Sequence, residues 1–336
     1  MQSVRQESAR RSVAPAGLSV TGHGHRCRRS REKRSGYDGA AMVQIRPHDG
    51  AFGVSEVIDL DPGRGAAHEA ALRQALARHA VLCLRMARPL EDEELRSVAR
   101  LFGPIKDPVA RAKDGSRFRY AEPRQIIDSG FVMTDEMRAK LVEVAFGGLD
   151  DRRPGLFETF HCDDTYTAEP ASATVLHARE LPPSGGGPTW FLDMRTALDL
   201  LDLATRKRVS ALRVRYAHNN EDAFPPRRAA RGAADVLEDV THPLVRTHPV
   251  AGTRALFLDL DRAKHVEGMP VAEGRALLQA LQDHAESNAP RCQHDWREHD
   301  VLVWDNASVQ HKAGGNFAVG EPRRFWRYMI AGARPV

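Results

Sequence analysis

Three residues of this 336-residue chain are of the right type to hold a metal ion, and they come from two distant places. His161 and Asp163 lie in the run Phe160-His-Cys-Asp-Asp164, and His311 lies 148 residues beyond Asp163. Two imidazoles and one carboxylate on one face of an ion leave the opposite positions open, which suits non-haem Fe(II) and oxidative chemistry. On an extended segment the side chains of i and i+2 point the same way, so His161 and Asp163 can grip one ion if a strand carries them. Leu156, Phe157, Thr159 and Phe160, just upstream, favour a strand. The third ligand must be brought in by the fold.

Two other His-x-acid triplets test how much this pattern means. His284-Ala-Glu286 falls in a helical pattern from about 272 to 286, where i and i+2 diverge by roughly 200° around the axis. His265-Val-Glu267 sits in a polar stretch for which no strand is expected. Only His161/Asp163 combines strand context with a distant partner, and the neighbouring chemistry adds to it. The cluster Pro182-Pro-Ser-Gly-Gly-Gly-Pro188 forces a turn, after which Thr189 opens a strand with a free hydroxyl. Near the C-terminus, Glu321-Pro-Arg-Arg-Phe-Trp-Arg-Tyr-Met-Ile330 reads as a strand containing arginines. An arginine carried toward a core needs an anionic partner, and a guanidinium pairs with a carboxylate through two parallel hydrogen bonds. Metal ligands plus a carboxylate clamp is the combined reading.

With these residues in view the chain resembles the TauD/TfdA-like family of Fe(II)/2-oxoglutarate-dependent dioxygenases. The likeness runs from Ile45-Arg-Pro-His-Asp-Gly-Ala-Phe-Gly53 through Ala80-Val-Leu-Cys-Leu-Arg85 and Leu101-Phe-Gly-Pro104. It is sharpest in Gly186-Gly-Pro-Thr-Trp-Phe-Leu-Asp-Met-Arg195 and in Trp304-Asp-Asn306 with His311. The resemblance implies that His161, Asp163 and His311 ligate Fe(II), and that Thr189 and Arg324 hold the distal carboxylate of 2-oxoglutarate. It implies dioxygen as the oxidant, succinate and CO2 as products, and hydroxylation, desaturation or oxidative cleavage of a small organic substrate. Asp163 favours oxygenation over halogenation, because the related halogenases lack this carboxylate. Arg324 follows His311 by 13 residues, slightly more than the family's usual spacing, so Arg323 and Arg327 stay open as the clamp. Strand alternation sets Arg323 and Arg324 on opposite faces and puts Arg327 with Arg323 unless a bulge intervenes. Taurine enzymes bind the sulfonate with an arginine four residues beyond the clamp. Counted from Arg324 that position is Tyr328, which argues against taurine. Tyr166, Arg327 and Tyr328, with the 104–154 region, are expected to shape the substrate pocket.

The elements that must position these residues are many short strands and a few helices. Strands are expected at 54–60, 81–84, 173–181, from 189, at 212–216 and at 300–304, with a final one over the C-terminal arginines. A hairpin is expected across Val250-Ala-Gly-Thr253, and helices at 66–79, 91–102, 194–203 and 271–286, with a short one near 135–146. The pattern supports a β-rich α+β domain. The resemblance makes it a double-stranded β-helix, the cupin-like jelly roll, with flanking helices. Insertions fall near 104–154 and 219–240. His177, His294 and His299 are read as packed or solvated histidines, and Trp304 and Phe325 as core aromatics.

Charge locates the basicity. Residues 1–41 hold nine Lys/Arg against three acids, a net of +6, while the whole chain is +4, so the remainder is 4 − 6 = −2. The segment 1–41 is expected to be a disordered basic extension, read as a start-site extension ahead of Met42, and 42–336 a single catalytic domain. A mildly acidic body argues against a nucleic-acid partner, although the tail leaves a nucleic-acid-associated oxygenase as an alternative. A metal-binding cupin-like protein without oxygenase activity is another, and a carboxylate clamp would have no purpose there. No run approaches the roughly 18 apolar residues of a membrane span. Four scattered cysteines without Cys-x-x-Cys fit a reducing cytoplasm. A homo-oligomer is compatible with the sequence.

Overall fold

The structure, a computed structural model, describes residues 43–119, 121–128, 159–218, 237–314, 317 and 321–336. The expected basic extension, the helix near 135–146 and most of the insertion at 219–240 lie outside these residues. All the described residues belong to one contact unit, Ala41–Val336.

In chain order, β1 (Gln44–Arg46) and β2 (Ser55–Ile58) lead through a 3-10 turn into α1 (Glu69–His79). This Ala/Leu-rich helix ends where Ala80 turns left-handed at φ 64°, and its amide caps the Leu76 carbonyl. Then come β3 (Val81–Leu84) and α2 (Asp92–Arg100), which opens with reciprocal Glu91/Glu94 capping and three acids in its first turn. A hairpin of β4 (Val109–Arg111) and β5 (Arg117–Arg119) precedes β6 (Arg124–Asp128). The segment after the site turn supplies β7 (Ala173–Glu180) and β8 (Thr189–Asp193). Two short helices follow, α3 (Met194–Asp199) and α4 (Leu203–Ser210), each capped by an aspartate, in place of the single helix expected at 194–203. The rest comprises β9 (Arg213–Tyr216), β10 (Val240–Pro243), β11 (Val245–Thr247), β12 (Arg254–Leu256), β13 (Ala263–Val266) and α5 (Val271–Asn288). Four strands close the chain: β14 (Arg291–His294), β15 (Val301–Asp305), β16 (Val309–Ala313) and β17 (Arg324–Ile330). The hairpin expected across 250–253 is β11–β12. His265, placed in no strand by sequence, lies on β13, where bulged pairing with β9 supplies the partner that local pattern could not show.

Two sheets frame the site. The larger runs β1-β2-β3-β15-β7-β17-β6, and the smaller runs β14-β8-β16. One face of the larger sheet (Leu82, Leu84, Val175, Val301, Val303, Tyr328) packs against α1 and α2 through Leu72, Leu76, Leu95 and Val98. Its other face (Val81, Cys83, Leu302, Trp304, Phe325) meets Phe191 and Val309 of the smaller sheet. Burial on both sides explains why β3 and β15 are apolar at nearly every position rather than alternating. Leu192, on the far side of the smaller sheet, packs with Leu198, Leu278 and Leu281 under α3 and α5. This is a β-sandwich of the jelly-roll type with helices outside, as expected from the resemblance.

Candidate active site

The two candidate histidines are direct neighbours across a backbone bridge. His161 donates its N–H to the His311 carbonyl at 3.0 Å and accepts from the His311 N–H at 2.9 Å. Residues so paired across strands project to the same face, and the two ring centroids lie 4.3 Å apart. The strand expected to carry His161 and Asp163 is reduced, among the described residues, to this one bridge, and a turn begins at Asp163. The order comes from β16, which sequence inspection missed because Val309–Ala313 is short and mixed in polarity; β16 in turn pairs with β8, His311 opposite Phe191. Potential ligand atoms of His161, Asp163 and His311 all fall within 4.8 Å of one another.

The donor set is prepared for a divalent cation. The Nδ1–H of His161 donates to the Thr159 carbonyl at 2.8 Å, which leaves Nε2 with its lone pair. Burial and the neighbouring His161 push His311 down to about 3, so it is a neutral ligand at ordinary pH. Burial alone would raise the Asp163 carboxyl. Arg327, the two histidines and a hydrogen bond from Thr174 more than offset it and hold the group at about 2. One Asp163 oxygen accepts from Arg327 Nη1 at 3.1 Å and the other from Thr174 Oγ1 at 2.6 Å. Two imidazoles and one ionised carboxylate, three candidate ligands in reach of one point, fit Fe(II).

A second group of donors, Cys83, His294 and Asp300, is as compact but differently wired. Asp300 Oδ2 already accepts from Arg85 at 2.6 Å, from the Arg297 amide at 3.0 Å and from His294 Nε2 at 3.0 Å. The nitrogen of His294 that faces its neighbours thus carries a proton, and burial pushes the Cys83 thiol far up. Those residues are a structural knot beside a cation. His294, read from sequence as solvated, is buried on β14 because β14 pairs with β8. His177 is packed, accepting from the Leu90 amide at 3.0 Å.

Between the sheets lies a cavity lined by Thr189, His161, His311, Arg323, Arg327, Trp304 and Phe325, among others. Trp304 and Phe325 are therefore both core aromatics and cavity walls; Trp304 lies 4.6 Å from the His311 ring. Thr189 Oγ1 accepts from Trp296 Nε1 at 3.0 Å, which leaves its own proton to be given to another acceptor. The arginine bordering this cavity with Thr189 is Arg323, not Arg324. Arg323 is 3% exposed, donates to the Gly187 carbonyl through Nε at 3.1 Å and Nη2 at 2.8 Å, and is lowered by burial to about 10. Gly187 has φ +63°, and a Cβ there would come within 2.6 Å of Arg323 Nε, so only glycine fits. Arg324 is half-exposed and pairs with Glu180 at 2.6 Å. Pairing of β17 with β7 is irregular between Arg324 and Phe325. Arg323, Phe325 and Arg327 nonetheless border the same cavity.

The register correction moves Tyr328 as well. Tyr328 faces the helices, where its hydroxyl donates to Asp92 at 2.7 Å, and it borders neither space beside His161, Asp163 and His311. Four residues beyond Arg323 stands Arg327, so the argument against taurine drawn from Tyr328 does not hold. Tyr166 borders an adjoining space with His161, Asp163, Asp259, Asp261, Arg262 and Arg327. Its ring lies under Arg262 at 4.9 Å. Trp296, Gly187 and Gln125, the last an acceptor for Arg327 Nε at 3.1 Å, were not singled out by sequence. No local spacing marks them; each acts through a contact with a residue far away in the chain.

Comparison with known proteins assigns the chain to a family. Residues 44–329 match the family described as taurine catabolism dioxygenase TauD, TfdA family. The chain is 31% identical over 264 residues to the alpha-ketoglutarate-dependent 2,4-dichlorophenoxyacetate dioxygenase of Cupriavidus pinatubonensis, covering 78% of this chain and 88% of that protein. It is 27% identical to the alpha-ketoglutarate-dependent sulfate ester dioxygenase of Pseudomonas putida, covering 88% and 92%. The fold superposes on the crystal structure of AAD-2 in complex with Mn(II) and N-oxalylglycine with a TM-score of 0.66, at 24% identity, covering 88% of this chain and 99% of that one. No helix among the described residues is long and apolar enough to cross a membrane. The chain belongs to the TauD, TfdA family and is a non-haem iron, 2-oxoglutarate-dependent dioxygenase.

Proposed function

We propose that His161, Asp163 and His311 hold Fe(II), that Thr189 and Arg323 hold the distal carboxylate of 2-oxoglutarate, and that Arg327 reads the acidic group of a small organic anion. The observation carrying this reading is that both histidines, Thr189, Arg323 and Arg327 border one cavity. Bound iron with dioxygen supplies the oxidising power, 2-oxoglutarate ends as succinate and CO2, and the second substrate is hydroxylated, desaturated or cleaved. The residues do the positioning. Arg323 is pinned by Gly187 before any ligand arrives, so little side-chain entropy is lost in binding a carboxylate. Thr189 can add a hydroxyl donor beside it. Arg327 and Thr174 keep Asp163 ionised, and Trp304 and Phe325 give the cavity an apolar wall that limits water. An anionic substrate is favoured because Arg327 presents a guanidinium at the metal side of the cavity, and because an aryloxyacetate and a sulfate ester, the substrates named for two relatives, each carry one acidic group. The intact Asp163 favours oxygenation over halogenation. Free thiols at Cys83, Cys162 and Cys292 fit the cytoplasm, and residues 42–336 are read as the catalytic domain.

Anaerobic titration with Fe(II) and 2-oxoglutarate should give a visible metal-to-ligand band that His161→Ala abolishes. Succinate release should then be stimulated by carboxylates, sulfonates or sulfate esters and not by their neutral analogues. An absent band, or one that survives His161→Ala, overturns the site. Stimulation by the neutral analogues alone overturns the substrate class.

A further inference from the structure

A chain of hydrogen bonds links the carboxylate of Asp163 to the indole of Trp304. Trp304 Nε1 donates to Asn306 Oδ1 at 3.0 Å, Asn306 Nδ2 donates to Thr174 Oγ1 at 3.0 Å, and Thr174 Oγ1 donates to Asp163 Oδ2 at 2.6 Å. Its direction is fixed by chemistry at both ends. An indole N–H can only donate, so the Asn306 oxygen must face Trp304 and its amide nitrogen must face Thr174. With its oxygen occupied as an acceptor, Thr174 directs its single proton to Asp163, and an ionised carboxylate can only accept. Each of the four side chains is at least nine-tenths buried. A buried chain of this kind is costly to leave incomplete, because each unpaired group loses its water without compensation.

The same indole that starts the chain lies against His311 at 4.6 Å between centroids and 47° between planes. Asn306 is held in turn by its backbone amide, which donates to the Ser172 carbonyl at 3.0 Å. One rigid unit, built on β15 and β7, thus touches two of the three metal ligands: the carboxylate by a hydrogen bond, the imidazole by its ring face.

We propose that Thr174, Asn306 and Trp304 are positioning residues for the metal centre: they fix the plane of the Asp163 carboxylate and the tilt of the His311 ring as a single coupled setting. The inference rests on the reading of His161, Asp163 and His311 as metal ligands. Neither Thr174 nor Asn306 lines the two spaces beside His161, Asp163 and His311. Their effect is felt in how well the ligands are aimed, as for the outer partners of other metal sites, where removal typically weakens binding about 10–100-fold.

The test is Co(II) binding to the full-length protein, followed by calorimetry and by the visible absorption of the ion, with thermal melts alongside. Thr174→Val keeps shape and loses the hydroxyl. It should weaken Co(II) binding at least tenfold and shift the absorption, while Thr174→Ser restores binding to within about threefold of the native protein. Trp304→Phe keeps a ring beside His311 and removes the N–H that orients Asn306; it should shift the Co(II) spectrum even where its melt is native-like. A native affinity and spectrum in Thr174→Val, whatever its melting temperature, overturns the proposal. If Thr174→Val does not fold, an unchanged spectrum in Trp304→Phe overturns it. Failure of the ligand assignment looks different: the native protein would bind Co(II) no better than His161→Ala.

Discussion

The two faces of the last strand carry similar residues to opposite ends. On one face Arg323, Phe325 and Arg327 border the cavity between the sheets. On the other, Trp326 and Tyr328 pack toward the helices, and Arg324 reaches the surface to pair with Glu180. Tyr328 serves α2 through Asp92, and Trp326 lies under Arg179 at 3.9 Å. Adjacent arginines in one sequence run therefore differ more than arginines four apart. Period-two alternation decides where a residue points, and a one-residue error in register exchanges a cavity-lining group for a surface one.

The largest effect is expected in the arginine pair itself. Arg323→Ala should raise the KM for 2-oxoglutarate by about 100-fold or more, since charge-assisted bonds to a carboxylate contribute about 1.5–3 kcal/mol each. Arg324→Ala should leave that KM within twofold; equal effects would return the clamp to Arg324. A pH series separates the faces next. Burial and Arg179 push His177, which meets the Leu90 amide on the helix side, down to about 4 from its ordinary 6.5. The unfolded chain binds this proton near pH 6.5 and the folded protein only near pH 4. The neutral His177 therefore supports the fold fully above pH 6.5, and that support is lost as pH falls to 4. Denaturant melts should show His177→Gln flattening the fall between pH 6.5 and 4 by on the order of 2–3 kcal/mol.

Gly187→Ala introduces a Cβ at positive φ against Arg323. It should raise the 2-oxoglutarate KM about tenfold and cost about 1–2 kcal/mol of stability, read by steady-state kinetics and denaturant titration. Least of all, Tyr328→Phe should cost about 1 kcal/mol through its lost bond to Asp92 and leave both KM values native. A substrate-specific KM change in that variant would put Tyr328 back into the pocket.

The central site was unusually legible in sequence, for local reasons. His161 and Asp163 are two apart, Thr189 follows a forced Pro/Gly turn, and His311 sits near a recognisable Trp-Asp-Asn block. Even so, the strand invoked to aim His161 and Asp163 is, among the described residues, one bridged residue, and the aim comes from pairing with β16. β16 itself was missed because five residues of mixed polarity give no clear period, and it is ordered by β8. Asn306 stood in a quoted motif without a role, since a hydrogen bond to Thr174, 132 residues away, leaves no trace in local pattern.

Residue types and short-range spacing by themselves determined the chemistry: two imidazoles, a carboxylate, a hydroxyl and arginines near the last strand, in a β-rich chain with an acidic body and a basic head. These follow from covalent neighbours and strand periodicity, which sequence contains. Which arginine enters the cavity, which tyrosine leaves it, and which hydrogen bonds join Trp304, Asn306 and Thr174 to Asp163 were decided only by the tertiary structure. Those depend on register between strands far apart in the chain and on the irregular pairing at Arg324/Phe325. Register is set by packing of both sheet faces at once, a cooperative property that no local window carries.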